Sequence, residues 1–238
     1  MPSQPQSIDL FCLPFAGGSS LLFHQWQKMA PKGLCIRPIS LPGRDRHFHL
    51  APINKMAEML SWIDKQIATL NSGNFAIFGH SMGGVIGYAY ALKQRTANKV
   101  EPRHLFVSAS APPSNHRSTC LHKKSAEEMR DHLRRYDLKG YLFDDHPELW
   151  EVFEPILRAD FKLVETYVPP LGADKISCPI TALSGTTDSI VAAKDMADWC
   201  KKTEGDFDLV AIEGGHLFLR DNPAAILDCV LNRLLISR

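Results

Sequence analysis

The sequence predicts an α/β fold, a mostly parallel central sheet flanked by helices, with a helical insertion in its second half. Three observations lead there. Short apolar runs alternate with segments of helical period, the pattern of a parallel sheet covered by helices. At 238 residues the chain is long enough to bury a large core in one compact domain. Its 45% hydrophobic and 22% charged content exclude disordered, collagenous and coiled-coil classes.

The elements follow in order. Ile8 to Leu13 and Leu34 to Ile39 read as the first two strands. Over 53–72 a helical stripe gathers Ile53, Met56, Ala57, Leu60, Ile63, Ile67 and Leu70, and Gly73 is placed to end that helix in a left-handed conformation. Phe75 to Phe78 is a buried strand, followed by a sharp Gly-rich turn and a helix over 82–95. Strands are expected at Leu105 to Ser108, Pro179 to Leu183 and Phe207 to Ile212, with helices over 191–202 and 223–236.

Residues 112–170 break this rhythm. They read as a long, polar, helical insertion within a single domain spanning 1–238, and an insertion of that length between two core strands is a candidate lid. The plainer alternative is a peripheral cover with no gating role. Charge within it is uneven: 111–140 holds seven Lys/Arg against four Asp/Glu, and 141–165 holds two against seven.

Several classes are set aside. With 27 Lys+Arg against 26 Asp+Glu, the chain lacks the basic excess of a general nucleic-acid binder. Met1 to Asp9 has no positive charge and no apolar run, so it does not read as a secretory signal, and no stretch approaches a membrane span. The six cysteines form no Cys-x-x-Cys pair, which favours reduced thiols and a cytoplasmic protein over a disulfide framework or a zinc site. His47 and His49 have the spacing to grip a metal but no evident partner pair; a solvated loop is the expectation, with no metal.

Chemistry concentrates at Gly79-His80-Ser81-Met82-Gly83, a Gly-x-Ser-x-Gly pattern between a strand and an apolar helix. That is the setting of a nucleophile elbow, where small neighbours allow a sharp turn and the helix N-terminus favours negative charge. The alternative is a Gly-rich turn with a packed serine. Serine is a poor nucleophile until a base takes its proton. Among ten histidines His216 leads, because it follows a strand and comes last in the serine–acid–histidine order. His80 is expected to support the turn, and His24 and His104 to serve packing or surface. Asp188 is the expected acid, directly following a strand end; Asp195, Asp198 and Asp206 are its competitors.

An oxyanion hole needs two backbone N–H groups. Met82 supplies one by its place after the serine. The other is expected from the loop Leu13 to Ser19, with Ala16 preferred and Phe15 the alternative. That loop could also be a mere glycine turn, and it lacks the Gly-x-Gly-x-x-Gly of a dinucleotide site. Together these parts describe acyl transfer from an ester or thioester, with no metal or organic cofactor.

The chain resembles the stand-alone type II thioesterases that accompany nonribosomal peptide and polyketide synthases. The likeness rests on Leu13-Pro-Phe-Ala-Gly-Gly-Ser19, Leu41-Pro-Gly-Arg-Asp-Arg46, Gly79-His-Ser-Met-Gly-Gly84, Leu157-Arg-Ala-Asp-Phe161 with Glu165 and Tyr167, and Gly214-Gly-His-Leu-Phe218. The resemblance implies an α/β-hydrolase fold with a helical lid. It implies Ser81, Asp188 and His216 as the triad, and hydrolysis of acyl groups from the phosphopantetheine arm of carrier proteins, with the arm belonging to the substrate. Carrier proteins are commonly acidic, so Arg130, Arg134 and Arg135 are candidate steering residues, with a solvated charged face as the alternative. Phe15 is a further candidate substrate contact. A monomer is expected. Other readings are a medium- or long-chain fatty acyl thioesterase, another esterase or acyltransferase, and a catalytically silent binding module. The role of the Pro42-Gly43-Arg44 loop is left open by the sequence.

Overall fold

The structure, a computed structural model, describes residues 7–69, 73–113, 120–134, 146–172 and 174–236. Six strands form one sheet: β1 (Ile8–Leu13), β2 (Leu34–Pro38), β3 (Phe75–His80), β4 (Leu105–Ser108), β5 (Ile180–Gly185) and β6 (Phe207–Ile212). Every pairing is parallel, and the order is β2-β1-β3-β4-β5-β6. Strands β1, β3, β4 and β5 are buried along their whole length, which is why they read as continuous apolar runs.

Alternate residues of each strand face opposite layers. Phe11, Leu13, Phe75, Ile77, Leu105 and Val107 enter one apolar cluster with α2 (Met56–Ala68) and α3 (Met82–Thr96). Leu10, Cys12, Ala76, Phe78 and Phe106 enter the other, with Trp26 of α1 (His24–Met29), as shown by its membership of that cluster. Downstream, the insertion supplies α4 (Ala126–Arg134) and α5 (Pro147–Glu165), and no strand among the described residues. The chain then forms α6 (Ala193–Ala197), α7 (Phe218–Asp221) and α8 (Pro223–Ile236).

Three expectations need correction. The helix expected over 53–72 runs only from Met56 to Ala68: Lys55 is still extended, and Thr69 closes the end. Gly73 is left-handed at φ 55°, but it lies beyond that end. The helix expected over 191–202 is α6 followed by a 3₁₀ turn, Asp198–Lys202. Two short helices, α1 and α7, escaped the periodicity because neither is long enough to show one.

The strand order places the site. From β1 the chain moves outward to β2 and then returns to β3 on β1's other side, so connections leave in opposite directions there. Ligands bind outside the carboxyl ends of strands at such a switch point. Register sets Leu13 beside Gly79, so the loop after β1 and the turn after β3 emerge side by side.

Candidate active site

Ser81 occupies the junction of β3 and α3. Its φ of 53° and ψ of −114° are unfavourable for an L-residue, and hydrogen bonds on both sides hold the turn. The Ser81 amide donates to Ser108 O at 2.7 Å, and the Ser81 carbonyl accepts from the Gly84 amide at 2.9 Å. Close approach dictates the two glycines. A Cβ on Gly79 would lie 2.1 Å from Gly83 O, and one on Gly83 would lie 2.3 Å from Leu13 O. The strained turn leaves Ser81 only partly buried at the head of a helix that is otherwise buried from Met82 to Leu92.

His216 and Asp188 reach this serine from the ends of β6 and β5. His216 Nε2 lies 3.3 Å from Ser81 Oγ, and His216 Nδ1 lies 2.9 Å from Asp188 Oδ2. The acid's other oxygen accepts the Ile190 and Val191 amides at 2.8 and 3.0 Å. Burial by itself would raise the Asp188 carboxyl. The hydrogen bond and charge interaction with His216, helped by these two amides, outweigh it and hold the group below its ordinary value. Both side chains are almost wholly enclosed. The loops carrying them are laced together: the Thr186 amide donates to Ile212 O at 2.9 Å and the Thr187 amide to Gly214 O at 3.0 Å. Of the competing aspartates, Asp198 pairs with Lys201, Asp195 sits on α6 and Asp206 immediately precedes β6.

His80 is fully buried behind the serine. Its Nε2 lies 2.8 Å from the His216 carbonyl and its Nδ1 2.9 Å from Ser108 Oγ. The carbonyl can only accept, so Nε2 carries the proton and Nδ1 accepts from the serine hydroxyl. Burial, reinforced by the neighbouring His216, pushes its pKa down to about 3, which keeps the ring neutral. The ring therefore supports the His216 backbone and takes no part in proton transfer.

The loop after β1 runs beside this group. Neither the Ala16 nor the Met82 amide donates to another described residue, and the Phe15 amide is in the same condition. Phe15 itself is 8% exposed and packs edge-on against His80, so its ring offers little surface to a substrate. Among the candidate steering residues, the Arg130 guanidinium lies 5.3 Å over the Trp150 ring, and the exposed Arg134 pairs with Asp131. Arg135 lies outside the described residues.

Sequence reasoning missed the partners of the Pro42-Gly43-Arg44-Asp45 loop. Arg44 makes a two-pronged bond to Asp160 of α5, at 2.7 and 2.8 Å, and donates to Gly18 O at 3.2 Å. Asp160 Oδ2 also accepts the Gly17 amide at 2.8 Å. Next to Arg44, Asp45 accepts the Ser20 amide at 2.9 Å and the hydroxyls of Ser19 and Ser20. One signal was present in the sequence: Asp160 shares a helical stripe with Ile156, Leu157 and Leu163, and a carboxylate in a buried stripe demands a partner.

Comparisons with known proteins point to one family. A family model described as a thioesterase domain matches residues 8–234. The gramicidin S biosynthesis protein GrsT of Aneurinibacillus migulanus is 29% identical over 95% of this chain and 89% of its own length. The medium-chain S-acyl fatty acid synthase thioesterase of Rattus norvegicus is 33% identical over 89% of this chain and 81% of its own length. Among solved structures, the type II thioesterase BorB from the borrelidin biosynthetic cluster matches with a TM-score of 0.85 and 30% identity, covering 98% of this chain and 95% of that one.

Proposed function

This chain belongs to the thioesterase-domain family, and from that premise we propose that it hydrolyses acyl thioesters from the phosphopantetheine arm of synthase carrier proteins, clearing misprimed or stalled units. The observation that carries the reading is the relay from Asp188 through His216 to Ser81, with separations of 2.9 and 3.3 Å.

Ser81 Oγ attacks the thioester carbonyl while His216 Nε2 takes its proton. Asp188 holds the imidazole with Nδ1–H toward its carboxylate and stabilises the imidazolium that forms. The developing oxyanion is met by the Ala16 and Met82 amides at the head of α3, where the helix dipole also favours negative charge. Collapse of the tetrahedral intermediate breaks the carbon–sulfur bond, and His216 returns the proton to the departing thiol. A water then attacks the acyl-serine with His216 again as base, releasing the free acid and regenerating Ser81. Apart from that water, these steps use side chains and backbone amides of this chain; phosphopantetheine enters with the substrate.

A second reading, a medium-chain fatty acyl thioesterase, is favoured by the 33% identical rat relative. One experiment addresses both. A panel of acyl groups is loaded on a carrier protein and, in parallel, on coenzyme A and cysteamine. Release from the carrier at higher kcat/KM than from the free thioesters is expected, together with an acyl adduct on Ser81 seen by mass spectrometry. A preference for free medium-chain thioesters would favour the second reading. Ser81→Ala should lower turnover by about 10⁴-fold or more, because triad members act as a unit. Substantial turnover by a folded Ser81→Ala protein would overturn both.

A further inference from the structure

The loop that supplies Ala16 is not held by its own glycines. Gly17 is left-handed at φ 74°, and a Cβ there would lie 2.8 Å from the Leu157 side chain of α5. Helix α5 therefore presses Leu157 onto Gly17 and, one turn further on, offers Asp160 to the Gly17 amide. Arg44 closes the arrangement from the opposite side, joining Asp160 to Gly18 O. The Arg44 and Asp160 side chains are 6% and 0% exposed, so this ion pair is held away from water. Its partners are 116 residues apart in sequence and belong to the loop after β2 and the helical insertion.

We infer that Arg44 and Asp160 are positioning residues for the oxyanion hole: their buried pair clamps Gly17 and Gly18 and so sets the direction of the Ala16 amide. The inference rests on the oxyanion role given to Ala16 above. Two features of the geometry and one energetic argument carry it. The clamp grips the two residues immediately after Ala16, so a shift there re-aims the Ala16 N–H directly. Asp45 grips Ser19 and Ser20 further along the same loop, which leaves that stretch little freedom of its own. Buried ion pairs are weak contributors to stability compared with apolar residues of equal volume, so a stabilising role alone is a poor account of this one. The arrangement also makes the seating of α5 a condition of catalysis, because that helix carries half of the clamp.

The test replaces both charges together, Arg44→Met/Asp160→Leu, which avoids an unpaired buried charge. Rates are expressed per active serine, counted by labelling to completion with a fluorophosphonate. The substrate is a free cysteamine thioester, so carrier docking does not enter. The expected result is a stably folded protein whose kcat is about 10- to 100-fold lower. That is the scale for misplacing or losing one oxyanion donor. KM should stay within about threefold, since the substrate's binding contacts are untouched. Arg44→Lys, which keeps the charge and leaves Asp160 on the Gly17 amide, should retain most of the activity. A stable double variant with wild-type kcat per labelled serine would overturn the clamp. If the double variant does not fold, Asp160→Asn is measured against the same outcomes. Failure of the underlying reading is separately visible: there Ser81 would resist labelling, or Ser81→Ala would keep its turnover.

Discussion

The sheet body and the helical cover are built on different physics. In the body, Trp26, Trp199, Tyr88 and Phe78 are fully enclosed, and apolar layers lie on both faces of the sheet. The cover owns a small separate cluster of Leu121, Met129, Leu133, Trp150, Leu157 and Phe161. Polar links join its own pieces, and it meets the body through Leu163, which enters the main apolar cluster, and through Asp160. The Glu165 carboxylate accepts the Leu121 and His122 amides at 2.7 and 3.2 Å, Arg158 donates to the carbonyls of His122 and Lys124, and Asp160 meets Arg44. A large continuous core unfolds as one unit, whereas a small satellite cluster can open locally. The difference assigns rigidity to the elbow that must hold a strained serine, and looser packing to the insertion.

The largest effect should come from breaking the body at its tightest point. Gly83→Ala pushes a methyl into Leu13 O, a backbone atom at the end of β1 that cannot step aside. We expect a loss of about 3 kcal/mol or more, or no folded protein at all. Gly172→Ala, just beyond the cover, meets no atom within 4 Å and has only its φ of 75° to overcome. It should cost about 1 kcal/mol, the scale of left-handed strain in one residue. Denaturant midpoints compare the two, and equal losses would contradict the picture of a rigid elbow.

Next in size is a pair of cavities. Ile86→Ala in α3 and Leu133→Ala in α4 both remove fully packed side chains. The first should lower global stability by about 2–5 kcal/mol. The second should chiefly raise hydrogen exchange and proteolytic cutting in 120–134 and 146–165, with a much smaller change in the main unfolding transition. A shared global loss would make the cover part of the same cooperative unit.

The same division explains what could be read in the sequence. Strands β1, β4 and β6 fell where their apolar runs lay, and the serine, acid and histidine could be picked out from strand ends and chain order. Those are local signals. The Arg44–Asp160 pair is not local: it joins the loop after β2 to helix α5 across a separation of 116 positions, and no period or motif spacing encodes such a meeting. His80 was legible as support for the turn, yet its bond to the His216 carbonyl depends on how two strand ends converge. In the cover the uneven charge was legible, but the side-chain contacts of its arginines were not. Arg130 is spent on Trp150 and Arg134 on Asp131.

Acid should act on the body. Burial pushes His80 down to about 3 and His104 down to about 4, against 6.5 ordinarily. Above pH 6.5 both are neutral in the folded and the unfolded chain, so stability there is indifferent to them. Below it the unfolded chain binds protons that the folded chain refuses. Stability should therefore fall from pH 6.5 downward by as much as about 1.4 kcal/mol per unit for each histidine. The His104 contribution levels off near pH 4 and that of His80 near pH 3. His104→Gln should flatten the slope between pH 6.5 and 4 by about half, measured from denaturation midpoints at each pH. An unchanged slope would mean that the acid sensitivity lies elsewhere.

The smallest expected effect belongs to the surface of the cover. Arg134 is exposed and already paired with Asp131 within its own helix, three residues apart. Such pairs contribute little to stability, and a single rim charge acts on encounter more than on the bound state. Arg134→Glu should leave kcat unchanged and lower kcat/KM for a carrier-bound acyl group by only about threefold at low salt. The difference should vanish near 0.5 M salt, where the screening length has fallen to about 4 Å. Hydrolysis of the free cysteamine thioester should not change at either salt concentration. An equal loss on both substrates would mean that Arg134 acts through the cover's own packing, and the cover would then be coupled to the elbow as tightly as the body is.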